Sequence, residues 1–110
     1  RRRMDGLTML GDYKHGGATL CLRLPAFLTR SMRRNARELF RLHTDPKQRS
    51  QGHATALLVK VCAEADRRGV SLVLCADPGR ESLYEKHGFS TIPTEPVRIM
   101  TRSPRANVQA

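Results

Sequence analysis

The stretch QRSQGHATALL, residues 48–58, joins a run that reads as a strand to one that reads as a helix. It holds Gly52 and, two places on, Ala54, with Arg49 just before them and no lysine to grip a phosphate. Downstream, Ala54, Leu57, Leu58, Val61, Cys62 and Ala65 recur at intervals of three and four, while Lys60, Glu64, Asp66 and Arg67 fall elsewhere. That spacing predicts an amphipathic helix from Gly52 to Arg68, stopped at Gly69 by a left-handed residue after its last turn. Upstream, RELFRLHT from Arg37 alternates as a strand does, with Leu39, Arg41 and His43 on one face and Glu38, Phe40, Leu42 and Thr44 on the other, and it breaks at Asp45-Pro46. Beyond the helix, VSLVLCA at 70–76 reads as a strand covered on both faces. Strand, loop, helix and strand make a βαβ unit, whose crossover should be right-handed.

The flanking segments are shorter and less regular. GLTML at 6–10 and ATLCLRL at 18–24 predict an antiparallel hairpin, with GDYKHGG between them as turn material. PAFLTRSMRRN then fits either a loop or a single helical turn. After Asp77-Pro78-Gly79, a short helix over ESLYEKH ends at Gly88, Phe89 turns the chain back, and a last strand is expected at 97–101. Residues 103–110 have no core-forming pattern and should fray.

A chain of 110 residues with 39% hydrophobic and 27% charged side chains suits one soluble globular domain, its small core implying modest stability or a dimer. No apolar run approaches the roughly 18 residues needed to cross a bilayer. No apolar signal core follows RRRM, so a cytoplasmic protein without a membrane partner is expected. Cys21, Cys62 and Cys75 are odd in number and widely spaced, which fits free thiols in a reducing compartment. His15, His43, His53 and His87 stand in no metal-binding motif, and no metal is expected. The net charge of +10 is concentrated in residues 1–50, where twelve Lys/Arg meet four Asp/Glu. Such a field attracts nucleic acid, an acidic protein surface or a phosphate-rich cofactor. Direct reading of nucleic acid is disfavoured, because the arginines have no interleaved aromatics and no helix-turn-helix or zinc-finger pattern, and charge alone reads no bases.

The junction at 48–58 fits the third candidate. A helix begins with backbone N–H groups that lack partners and with the positive end of the peptide dipoles, so phosphates bind there. A diphosphate lying against the backbone requires little or no side chain at closest approach, which suits Gly52 and tolerates Ala54, with Arg49 and His53 flanking the anion. The Lys-Ser/Thr of a triphosphate loop is missing, as are the three glycines and downstream acid of a dinucleotide fold. RSQGHA at 49–54 resembles the R/Q-x-x-G-x-G/A signature of the GNAT superfamily of acyl-CoA N-acyltransferases, and LYEKHGF at 83–89 resembles that family's L-Y-x-x-x-G-F. The two motifs stand in the family's order and separation, and the likeness spans about residues 37–102.

The resemblance implies a single α/β domain with a mixed sheet, a splayed parallel strand pair and helices on both faces. It implies transfer of an acetyl group from acetyl-CoA to an amine, a protein lysine being one such acceptor. Pantetheine would pair along Leu42, His43 and Thr44, and the diphosphate would rest on amides of Arg49, Ser50, Gln51, Gly52, His53 and Ala54. Tyr84 would protonate the departing thiolate. Asp77 falls where many members carry an asparagine near the pantetheine arm.

An ammonium must lose a proton before it attacks, so a base or a water path is required. Glu38 is the only carboxylate in the strand leading to the loop, and in histone-type members a glutamate on the matching strand faces the acceptor channel; the competing reading is an exposed strand charge. His43 is a second candidate, pointing away from Glu38 on strict alternation, and water alone serves many members. Tyr84 has its own alternative, packing with the hydroxyl at the surface. Cys75 reads as an inert core thiol, since nothing nearby would lower its pKa.

Ser50, Ala54 and Arg80 depart from the family pattern, each in a direction expected to weaken or reshape CoA binding. Only about 36 residues precede the motif-bearing strand, too few for the usual first strand and helix pair in addition to the hairpin. An open acceptor site follows, favouring a protein or other large acceptor, acidic or associated with nucleic acid, unless a homodimer partner supplies the wall. The rival reading is a non-catalytic basic binding module on the same scaffold.

Overall fold

The computed structural model describes residues 9–26, 34–48, 52–92 and 98–105. Its organising element is helix α1, His53–Arg68, which buries Leu57, Leu58, Val61, Cys62 and Ala65, the stripe expected from its spacing. Beyond Arg68 the amides of Gly69 and Val70 donate to the carbonyls of Asp66 and Ala65 and end the helix. On its outer side Glu64 pairs with both Arg67 and Arg68. The buried stripe lies across strands β1 (Gly11–His15), β2 (Ala18–Arg23), β3 (Ala36–Thr44) and β4 (Ser71–Ala76). A 3-10 turn at Pro46–Gln48, helix α2 (Glu81–Glu85) and strands β5 (Ser90–Ile92) and β6 (Arg98–Arg102) complete the described chain.

The strands form one sheet in the order β1-β2-β3-β4-β6-β5. Only β3 and β4 run parallel, with α1 as their crossover, and their pairing covers three positions, Ala36↔Ser71, Arg37↔Leu72 and Glu38↔Val73. Past Glu38 the two strands separate. The mixed α/β sheet with a splayed parallel pair is therefore present. The helices do not flank both faces among the described residues. Arg102 lies opposite Leu72, hence on its face, and bonds both to Asp66 of α1 and to the His87 carbonyl just after α2. Both helices thus cover one side of the sheet.

Four details differ from the sequence reading. The first hairpin strand is GDYKH, taken above as turn, and the turn is Gly16-Gly17 alone, with His15 opposite Ala18. As an edge strand in which only Tyr13 is partly buried, it carries no hydrophobic alternation to read. Residues 6–8, the start of GLTML, lie outside the described residues, as do most of PAFLTRSMRRN (27–33) and residue 97. In β3, Cys21 pairs with Arg41 but Leu22 pairs with Leu39, so Phe40 is an extra, bulged residue. The bulge resets the alternation: Leu39 and Leu42 both enter the core, and His43 falls on the same face as Glu38, since both oppose odd-numbered residues of β2, Thr19 and Arg23. The expected opposition of Glu38 and His43 is thus overturned. Arg37 is fully buried, donating from Nε to the Met9 carbonyl at 3.1 Å and from Nη1 to the Ala36 carbonyl at 2.7 Å. Finally, the region read as a frayed tail is tied at its start, where the Arg105 amide donates to Asp66 Oδ1 at 2.8 Å.

No helix among the described residues is long and apolar enough to cross a membrane. Nor do three or more His, Cys, Asp or Glu side chains gather as a metal site among them.

Candidate active site

Where β3 and β4 part, a cleft of about 200 Å³ opens between them. Leu39, Phe40, Arg41 and Leu42 line it from β3, Cys75 from β4, and Asp77, Arg80 and Tyr84 from the segment that follows. Ligands of open α/β sheets collect outside the carboxyl ends of the strands, where connections diverge, and this cleft has that position.

Tyr84 reaches it because α2 is short and stopped sharply. The amides of His87 and Phe89 both return to the Tyr84 carbonyl, at 2.9 and 3.2 Å, and the Tyr84 and Phe89 rings meet edge-on with centroids 5.7 Å apart. Tyr84 is only 7% exposed, and its hydroxyl has no hydrogen-bond partner among the described residues. Buried phenols normally find a partner; this one faces a cleft. Burial pushes its pKa up, with the Asp77 carboxylate adding to the effect and the Arg80 charge opposing it. The group therefore stays protonated through neutral pH and is suited to donate a proton.

Glu38 is buried at the end of the paired segment and is held by Arg23, with Nε–Oε1 at 3.0 Å and Nη2–Oε2 at 3.2 Å. Arg23 in turn lies over the Phe40 ring, 4.4 Å from its centroid. The competing reading of Glu38 as an exposed strand charge does not hold, since the side chain is buried and paired with Arg23. Cys75 is exposed and faces the cleft, which corrects its reading as a core thiol. The apolar run hid it: Cys75 lies on the sheet face opposite the core residues Leu72 and Leu74.

At the helix junction the described residues begin at Gly52. Gly52 is the N-cap residue of α1 with φ 79°, a left-handed conformation that costs a side-chain-bearing residue roughly 1–2 kcal/mol. It makes no side-chain cap, and a Cβ built there would meet nothing within 4 Å. Glycine is needed for the backbone angle and not for want of room at its Cβ position. Ala54, His43 and Thr44 border a second depression of about 400 Å³ beside that turn, shared with Arg80. His53, expected to flank the anion, instead packs its ring edge-on to His15 at 5.3 Å and against Gly16. Arg49, Ser50 and Gln51 lie outside the described residues. Of the predicted residues, Leu42, Asp77 and Tyr84 thus meet in the cleft, and His43, Thr44 and Ala54 meet in the adjoining depression. Phe40, Arg41 and Arg80 were missed as lining residues; the Asp-Pro-Gly turn at the end of β4 was the available signal for Arg80.

These features fit a thioester carrier with a diphosphate: a helix start without a side-chain cap, and a cleft between unpaired strand edges leading to a phenol. The family model for the acetyltransferase (GNAT) domain matches residues 26–100. No curated protein matches the chain. Among solved structures, similarity extends to Tetrahymena GCN5, at 15% identity and TM-score 0.62 over 83% of this chain and 62% of that one. The ribosomal-protein-S18-alanine N-acetyltransferase of Escherichia coli is similar at 25% identity and TM-score 0.62, over 86% of this chain and 67% of that one. The PaiA N-acetyltransferase of Thermoplasma acidophilum, solved with coenzyme A, is similar at 21% identity and TM-score 0.59, over 78% of this chain and 52% of that one. The chain thus spans 62% of the first of these neighbours and 52% of the last. Carrying the domain model over most of its length, together with the cleft and helix junction described above, the chain belongs to the GNAT acetyltransferase family.

Proposed function

We propose that this chain transfers an acetyl group from acetyl-CoA to an amine on a large, acidic acceptor, a protein lysine being the acceptor class that fits best. The observation that carries this reading is the buried Tyr84 hydroxyl, without a hydrogen-bond partner among the described residues, facing the cleft where β3 and β4 separate. Acetyl-CoA supplies an acyl carbon activated as a thioester. Tyr84 gives its proton to the departing sulfur and regains one from solvent, while the unpaired edges of β3 and β4 orient the arm and the α1 amides hold the diphosphate. The surroundings are cationic: Arg41 lines the cleft and is exposed, and the chain's net charge is +10. An acidic acceptor gains from that field.

Glu38, already paired with Arg23, is a weak candidate for the base, and water is favoured. Glu38→Gln should therefore leave the pH dependence of kcat/KM unchanged. Loss of its acid limb in the variant would return Glu38 to the mechanism.

The function as a whole is tested by stability and turnover together. Acetyl-CoA at about 100 times its Kd should stabilise the protein by about 2.7 kcal/mol, read as a rise in Tm, and labelled acetyl groups should appear on lysines of acidic protein acceptors. No Tm shift and no transfer would leave a basic binding module on an acyltransferase scaffold.

A further inference from the structure

Of the cysteines, Cys21 and Cys62 are buried and Cys75 is exposed. Burial pushes the Cys21 and Cys62 thiols up, which keeps them protonated and inert. Cys75 follows Val73, the last residue of β4 paired with β3, by two positions, so it lies where the strands have already parted, and it lines the cleft there. Tyr84 lines the same cleft, only 7% exposed, with a hydroxyl that has no hydrogen-bond partner among the described residues. A buried polar group without a partner points to a ligand atom in that space. On the acyltransferase reading that atom is the sulfur of the carrier, which then stands among the groups that surround Cys75. The setting is also electropositive: Arg41 lines the cleft, and the Arg23 guanidinium is near enough to interact electrostatically with Cys75. Accessible thiols in such surroundings are the reactive ones.

We propose that Cys75 is a redox-modification site that takes up coenzyme A itself as a mixed disulfide and so blocks the cleft. The inference rests on the acyltransferase reading for the placement of the carrier. The co-reactant is the symmetric disulfide of coenzyme A. The Cys75 thiol gives its proton to solvent, and the thiolate attacks the disulfide sulfur seated in the cleft. A bond forms from Sγ to that sulfur as the original S–S bond breaks, and the second coenzyme A leaves as a thiolate that solvent protonates. Cys75 is oxidised as one coenzyme A is reduced to its thiol. A small thiol reverses the step by the same exchange. The recognition that delivers the thioester also delivers the oxidised carrier, so oxidising conditions switch transfer off at its own cleft.

The test incubates the full chain with the disulfide of coenzyme A or with glutathione disulfide, which has the same reactive bond and no nucleotide, and follows the intact mass without reductant. Wild type should gain one coenzyme A, mapped to Cys75, about tenfold or more faster than it gains glutathione, the advantage of a bound over a colliding reagent. Excess acetyl-CoA should slow the uptake, dithiothreitol should reverse it, and acetyl transfer should fall and return in step. Cys75→Ser should take up neither. Equal rates for the two disulfides would make Cys75 an ordinary surface thiol and overturn the proposal, as would uptake that maps to Cys21 or Cys62, or no uptake at all. Those results leave acetyl transfer by the untreated protein untouched. An untreated protein with no Tm rise on acetyl-CoA and no transfer would instead remove the acyltransferase reading, and this inference with it.

Discussion

Tyr84→Phe is expected to lower acetyl-transfer turnover by about a hundredfold or more, the lower end of what a positioned general acid contributes, while acetyl-CoA affinity stays nearly constant. The folded protein should tolerate the change well. The ring still meets Phe89 edge-on, and the lost hydroxyl had no partner among the described residues, so no buried group is orphaned. Tm should hold or rise slightly. Steady-state kinetics beside a melting curve separate the cases, and unchanged turnover removes Tyr84 from proton transfer. Because burial raises the folded pKa of the phenol, wild-type activity should survive past the ordinary tyrosine range before an alkaline limb from this group appears.

Asp66→Ala has the largest expected effect on stability, a loss of about 3 kcal/mol. Asp66 meets Arg102 through both carboxylate oxygens, at 2.7 and 3.0 Å, and also accepts the Arg105 amide. The Arg102 side chain is only 5% exposed, so removing its partner strands a buried charge. Pairing with Arg102, helped by the Arg105 amide, holds the Asp66 carboxyl below its ordinary pKa. A lowered folded pKa stabilises fully above the ordinary carboxylate range, and that contribution disappears as pH falls through the lowered value. The gap between wild type and Asp66→Ala in urea titrations should therefore be widest near neutral pH and narrow in acid. A second change, Arg102→Met, should recover part of the loss by removing the stranded charge. A gap independent of pH would assign the effect to packing.

The parts of this molecule governed by local periodicity were readable without coordinates. The buried stripe of α1 and its glycine stop needed only spacing, and two short motifs in order located Tyr84 and the strand pair that opens around it. What escaped depends on partners far away in sequence. The bulge at Phe40 exists only relative to β2, so no pattern within RELFRLHT announces it, and every side assignment beyond it changes. Arg37 looks like a strand charge until the Met9 carbonyl is brought to it from 28 residues away. Arg102 and Asp66, 36 residues apart, look like two surface charges. Cys75 reads as core because its neighbours are apolar, yet the strand that would cover it has already diverged.

On either side of Phe40 the ladder between β2 and β3 already has the register of an unbroken pair, with Leu22 on Leu39 and Cys21 on Arg41. Excising that one residue would therefore straighten the ribbon while leaving every other cross-strand partnership intact. A single codon separates this sheet from a seamless one, and the same edit would take away one wall of the cleft and the ring beneath Arg23.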